Sequence, residues 1–203
     1  ADGNLVAVWE LENPTWTTGY PGDGSSKGIF SNIYTIDEDG GVSALEIDRT
    51  ENRYNNDFQV NSYTGGDQEK PAVAALDNGG FVVTWVSGWD GNHPWPNPQD
   101  GDGMGIFSQV YDQNGNKVGQ EFRVNTITEG HQSNPAVTSL GENKFIITWD
   151  SVGQRKSQVF DNNGNKIGFE LDLDTYGDNL SFSTQRVDFS TNHDNHLIVW
   201  TDG

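Results

Sequence analysis

Apolar residues along this chain come in short runs, and four of those runs end in tryptophan: Leu5 to Trp9, Phe81 to Trp85, Phe145 to Trp149 and Leu197 to Trp200. A run of this length bounded by Gly, Asn and Asp predicts a strand rather than a helix. No stretch sustains the i, i+3, i+4, i+7 apolar spacing of an amphipathic helix. After the Trp run comes an alternating run, Gly105 to Tyr111 in its fullest form, and then a short Phe-x-Val-Asn segment at Phe58 to Asn61 and Phe122 to Asn125. Before it lies Pro71-Ala-Val or Pro135-Ala-Val. Each full unit therefore predicts four short strands.

The same landmarks recur in the same order, which marks an internal repeat. Glu69 to Trp85 aligns with Ser133 to Trp149, and Gln109 to Gly119 aligns with Gln158 to Gly168. Gly28 to Tyr34 aligns with Gly105 to Tyr111. The units run over approximately 1–68, 69–132, 133–179 and 180–203, within one domain. Four antiparallel strands per unit is the composition of a propeller blade, so the expected fold class is all-β, with β-propeller-like repeats of four-stranded blades. The ends give about three, four, four and two strands in succession. This implies either an incomplete propeller, as part of a longer chain, or terminal strands that combine to close a ring. Asp112-Gln-Asn-Gly-Asn116 is expected to join the third and fourth strands, its Asn-Gly supplying positive φ values. The loops are unequal: Asn13 to Lys27 and Val86 to Met104 are long, Asp150 to Arg155 is short, and the hairpin after Tyr34 is enlarged through to Asn56. Long loops on a repeat scaffold commonly carry function.

Charge narrows the partners. The 203 residues hold 30 acidic and 11 basic side chains, a formal charge of −19, which repels nucleic acid and anionic lipid surfaces and attracts cations. Seven Trp and the Val/Ile runs supply more core than a disordered acidic chain would have. No apolar run of about 18 residues argues for membrane insertion. Cysteine is absent, so neither disulfides nor thiolate metal sites hold the fold.

The stretch Gln99 to Asn125, followed by Pro135-Ala-Val and a Trp strand, resembles repeats of very large secreted bacterial proteins that occur beside hemolysin-type (RTX) calcium-binding repeats. The resemblance spans most of the chain and is strongest from Phe58 to Gly168. It implies a secreted or cell-surface location, calcium-rich surroundings and a role in adhesion or surface display. The Gly-Gly-x-Gly-x-Asp nonapeptides of true RTX repeats are missing, so their metal sites do not carry over.

Calcium takes several oxygen ligands, typically carboxylates and carbonyls on a glycine-containing loop. Asp90, Asp100 and Asp102 in the second long loop offer that mixture, Asp23 is their counterpart in the first, and Asp37 and Asp39 form a further candidate. The alternative is that these Asp-Gly pairs are turns on a solvated acidic surface. Aromatic residues also sit in the loops: Trp16 and Tyr20 in the first, Trp89, His93 and Trp95 in the second. Such rings stack on sugar C–H faces while neighbouring polar groups bind hydroxyls, or else they seal the sheet edges. Trp9, Trp85, Trp149 and Trp200 occupy equivalent strand ends and read as structural.

Enzyme signatures are missing: there is no Ser-x-Asp-x-Gly-x-Thr-Trp box, Gly-x-Ser-x-Gly elbow or cysteine nucleophile, and His93, His131, His193 and His196 lack zincin spacing. The sequence therefore reads as a non-enzymatic extracellular calcium-binding module for adhesion, display or assembly, its partner a glycan, a protein surface or copies of itself. Two alternatives stand beside it: a lectin using the loop aromatics, and a fragment of a polysaccharide-degrading enzyme.

Overall fold

The computed structural model of the chain describes residues 4–12, 27–45, 57–88, 99–173, 187–192 and 195–200, the last two segments as backbone only. They are all-β, with no α-helix among them. Fourteen strands follow in order: β1 (Leu5–Glu12), β2 (Lys27–Ile36), β3 (Val42–Ala44), β4 (Phe58–Gln59), β5 (Asp67–Ala75), β6 (Phe81–Gly88), β7 (Met104–Tyr111), β8 (Lys117–Arg123), β9 (Gln132–Gly141), β10 (Lys144–Ser151), β11 (Gln154–Asp161), β12 (Lys166–Asp172), β13 (Val187–Asn192) and β14 (Asn195–Trp200). They form three antiparallel four-stranded sheets and a two-stranded one, and none of the sheets closes on itself. The second sheet is β5-β6-β7-β8 and the third is β9-β10-β11-β12, each joined in chain order.

The first sheet departs from that scheme. Its third strand position is shared by β3, which pairs with Tyr34 to Ile36, and β4, which pairs with Phe30 and Ser31. In the second sheet a single strand, β8, covers both places, with Lys117 opposite Tyr111 and Arg123 opposite Phe107. Thus β3 and β4 are two halves of one strand, and the first sheet has three strand positions. Part of the extra length after Tyr34 enlarges the hairpin, where Thr35 and Ile36 pair with Ser43 and Val42 before the turn begins, and the rest falls between β3 and β4. The Asp37–Gly41 turn has the same length, five residues with Asp first and Gly fourth, as Asp112–Asn116 and Asp161–Asn165.

In all three turns the leading aspartate holds the loop. Asp37 Oδ1 accepts from Asp39 N (3.1 Å) and Gly41 N (2.6 Å). Asp112 Oδ1 accepts from Asn114 N (2.9 Å) and Asn116 N (2.8 Å), and Asp161 Oδ1 from Asn163 N and Asn165 N (both 2.9 Å). The positive φ falls on the glycine alone, Gly40, Gly115 and Gly164, while the preceding residue stays on the negative side. This is a type I turn with a left-handed glycine, rather than the two-residue Asn-Gly turn the sequence suggested.

Successive sheets pack face to face. Strand β6 is buried along its whole length, and its alternate residues serve two cores, because a strand's side chains point to opposite faces with period two. Phe81, Val83 and Trp85 join Ile29, Ile33, Phe58 and Val60 of the first sheet. Val82 and Val86 join Phe145, Ile147, Trp149 and Phe160 of the third. A strand buried on both faces loses the polar alternation and reads as one apolar run. An aromatic trio repeats at each junction. Phe81 stacks on Tyr111 at 4.7 Å with Phe58 tilted against it at 5.5 Å, and Phe145 stacks on Phe160 at 5.4 Å with Phe122 tilted against it at 5.3 Å.

Pro71 and Pro135 lie inside strands, at a bulge. Lys70 and Pro71 together oppose the single position of Trp85, where the β5–β6 register shifts, and a shift falls opposite Trp149 in the third sheet. Lys70 (φ 53°) and Asn134 (φ 51°) are both left-handed there. Two residues against one is the definition of a β-bulge, which also accommodates a residue with no N–H to give.

Candidate functional site

The candidate residues fall into three groups by position. Asp23, Asp90, Trp16, Tyr20, Trp89, His93 and Trp95 lie outside the described residues. Asp37 and Asp39 lie in the turn after β2. Asp100 and Asp102 lie in the turn before β7, the strand equivalent to β2. The two described pairs therefore sit at opposite ends of equivalent strands and do not converge. Asp37 is engaged in its own turn, like Asp112 and Asp161, and Asp39 is exposed.

Asp100 is different. Its side chain is only 6% exposed, with Oδ1 accepting from Asp102 N (3.1 Å) and Oδ2 in a long contact with Asn125 Nδ2 (3.4 Å). Burial pushes its carboxyl above the ordinary aspartate range, opposed by those two hydrogen bonds and by the Arg123 charge. Arg123 Nη1 donates to the Asp100 carbonyl (3.2 Å). The packing explains the glycine that opens the Gly-Ile-Phe motif, because a Cβ at Gly105 would lie 2.6 Å from Asp100 Oδ2. Asp102 reaches across the junction, its Oδ2 accepting from Gly130 N (3.1 Å). One buried and one exposed carboxylate thus share a turn that faces the next repeat. Among the described residues no three His, Cys, Asp or Glu side chains gather as a metal-binding group. A cation held at Asp100 and Asp102 would need carbonyl oxygens or Asp90 to complete its shell.

Directly beside this turn is a polar clamp that sequence reasoning missed. Asn125 Oδ1 accepts from Ile106 N (2.9 Å), and its amide donates to Ile127 O (2.9 Å) and Gln132 Oε1 (3.0 Å). Gln132 Nε2 in turn donates to Glu129 O (3.1 Å). One junction earlier the same set recurs: Asn61 accepts from Ile29 N (2.8 Å) and donates to Tyr63 O (2.9 Å) and Gln68 Oε1 (3.1 Å), and Gln68 donates to Gly65 O (3.2 Å). All four amide side chains are buried, and pairing them satisfies polar groups whose isolation would be costly. Around them, Thr126 N donates to Glu170 Oε2 (2.8 Å) and Lys166 Nζ to Thr126 Oγ1 (3.1 Å). Their equivalents are Ser62 N to Glu121 Oε2 (2.6 Å) and Lys117 Nζ to Ser62 Oγ (3.0 Å). The signal was available in the shared 64-residue offset of Asn61 and Gln68 from Asn125 and Gln132.

The second junction has one further tie. Asp77 accepts from Asn143 N (2.7 Å) and Asn162 Nδ2 (2.8 Å), and these bonds hold its carboxyl below the usual range.

No family model, curated protein or solved structure matches this chain.

Proposed function

We propose that the chain is an extracellular, non-enzymatic, calcium-binding repeat module of propeller type, serving adhesion, surface display or assembly. The observation that carries this reading is the clamp repeated residue for residue at both junctions. The polar side chains between the sheets are committed to joining one repeat to the next, and the acidic turns at the rim are left as the surface for partners. Consecutive four-stranded meanders packed face to face support the propeller architecture. The charge of −19 and the buried Asp100 carboxylate beside Asp102 support a hard cation at the rim, because a cation relieves the cost of keeping that carboxylate ionised.

A thermal melt in calcium and then in EGTA tests it. A metal that binds only the folded state raises stability by mass action. The expected result is a calcium-dependent rise in Tm that EGTA reverses and that Asp100→Asn with Asp102→Asn diminishes. Unchanged melting in all conditions would remove calcium from the account. A glycan array run in calcium buffer separates the carbohydrate-binding alternative.

A further inference from the structure

The row of residues that crosses each sheet at its Trp changes character in the third repeat. In the first sheet the row runs Trp9, Phe30, Gln59, and in the second it runs Trp85, Phe107, Arg123. In the third it runs Trp149, Lys156, Asp172. A lysine thus takes the place of a phenylalanine, and an aspartate stands directly opposite it on β12. Residues paired across neighbouring strands share a face of the sheet, with Cβ atoms about 5 Å apart.

Lys156 is only 7% exposed. Its Nζ makes a close ion pair with Asp172 Oδ1 and lies 3.7 Å from Glu170 Oε1. The Glu170 side chain is itself 11% exposed, and its other oxygen is held by the Thr126 N–H at 2.8 Å, which keeps Oε1 turned to the amine. The equivalent Glu121 meets the neutral amide of Gln99 at that place. The third repeat therefore sets a buried amine between two carboxylates where the second has only neutral partners for its glutamate. Withdrawing such charges from water is costly, and their mutual attraction offsets the cost only in part. Joining the amine to a carboxylate would remove one charge of each sign.

We propose that Lys156 and Asp172 condense to an intramolecular amide, an isopeptide cross-link between β11 and β12, with Glu170 as the proton carrier. Glu170 takes a proton from the Lys156 ammonium, and the freed Nζ attacks the Asp172 carboxyl carbon. The new C–N bond replaces one C–O bond of Asp172, and that oxygen leaves as water with two of the three ammonium protons. Glu170 passes on the proton it took and ends as it began. The ion pair already holds every atom of the amide and the water, so no co-reactant enters. Contact between the two groups supplies the proximity on which an intramolecular condensation depends, and the 41% exposure of the Asp172 side chain gives the water a way out. The bond ties β12, at the edge of its sheet, to its neighbour and makes the edge resist peeling. This chemistry rests on neither calcium nor the propeller reading.

Intact-mass spectrometry of the purified full chain tests it. The expected mass is one water below that of the sequence, and trypsin should leave residues 156–166 joined to residues 167–186, because trypsin does not cut after an acylated lysine. Lys156→Arg and Asp172→Ala should each restore the full mass. Glu170→Gln keeps an acceptor for the Thr126 N–H but loses the proton carrier, so most of that variant, its fold checked by circular dichroism, should also keep the full mass. A wild-type chain of full sequence mass, with a tryptic peptide that starts at Ser157, overturns the proposal without any variant. A deficit that survives Lys156→Arg overturns it too, and would assign the lost water to a cyclic imide at an Asp-Gly pair.

Discussion

The two junctions between successive sheets are built from the same polar clamp and the same aromatic trio, yet one is filled and the other contains a cavity. The first and second sheets meet through Phe58, Phe81 and Tyr111, and the second and third through Phe122, Phe145 and Phe160. What separates them is a strand: β5 and the residue after it supply Ala74 and Leu76 to the second junction, and no described strand supplies their equivalents to the first. The amide clamp and the aromatic trio are thus common to both junctions, while the packing beside them differs with the strand that flanks the Trp strand.

The largest effect expected on this comparison comes from the paired tryptophans. Trp85→Ala and Trp149→Ala should each cost about 3–5 kcal/mol in urea denaturation, since both side chains are fully buried and truncation leaves a cavity. If one is tolerated and the other is not, the two cores are not equivalent. Next come the clamps. Asn61→Ala and Asn125→Ala should each lose about 1–3 kcal/mol by stranding a buried glutamine and a backbone N–H. Double-mutant cycles with Gln68 and Gln132 should return similar coupling at both junctions. The packing difference itself is sharpened by a pair of enlargements at equivalent positions. Ala75→Leu, lining the cavity, should be neutral or stabilising by about 1 kcal/mol, whereas Ser139→Leu, at the junction Leu76 already fills, should destabilise by about 1–3 kcal/mol through overpacking.

The smallest effect is a pH dependence confined to the second junction. Folding lowers the Asp77 carboxyl, so its contribution is present above the unfolded aspartate value of about 3.9 and is lost as pH falls through the lowered folded value. Asp77→Asn should lower stability in the neutral region, change it little at pH values below the lowered folded one, and so flatten the acid limb of the stability curve. An unchanged limb would show that Asp77 does not act as a charged tie.

Much of this architecture was legible in the sequence because the repeat exposed it. The Trp strands, the alternating Gly-Ile-Phe strands and the three, four, four and two strand count all follow from landmarks in register. The bulge did not, because Pro71 and Pro135 suggested strands starting after them, whereas two-against-one pairing lets β5 and β9 run through. Nor did the split of β3 from β4, since Val42 to Ala44 is too short to carry a period. Of the site, Asp100 was visible as an acidic loop residue, but its burial depends on glycine at position 105 and on Asn125, which follows β8. The acidic residues of the turns looked like ligands in sequence. Asp37 shows how such a residue can equally serve its own backbone.

The split strand carries a practical consequence. Because β4 meets β2 in the register that β8 keeps with β7, the edge strand of the first sheet is interrupted while β1 and β2 stay paired along all eight residues of β1, so a substitution confined to β3 should leave the Trp strand in place.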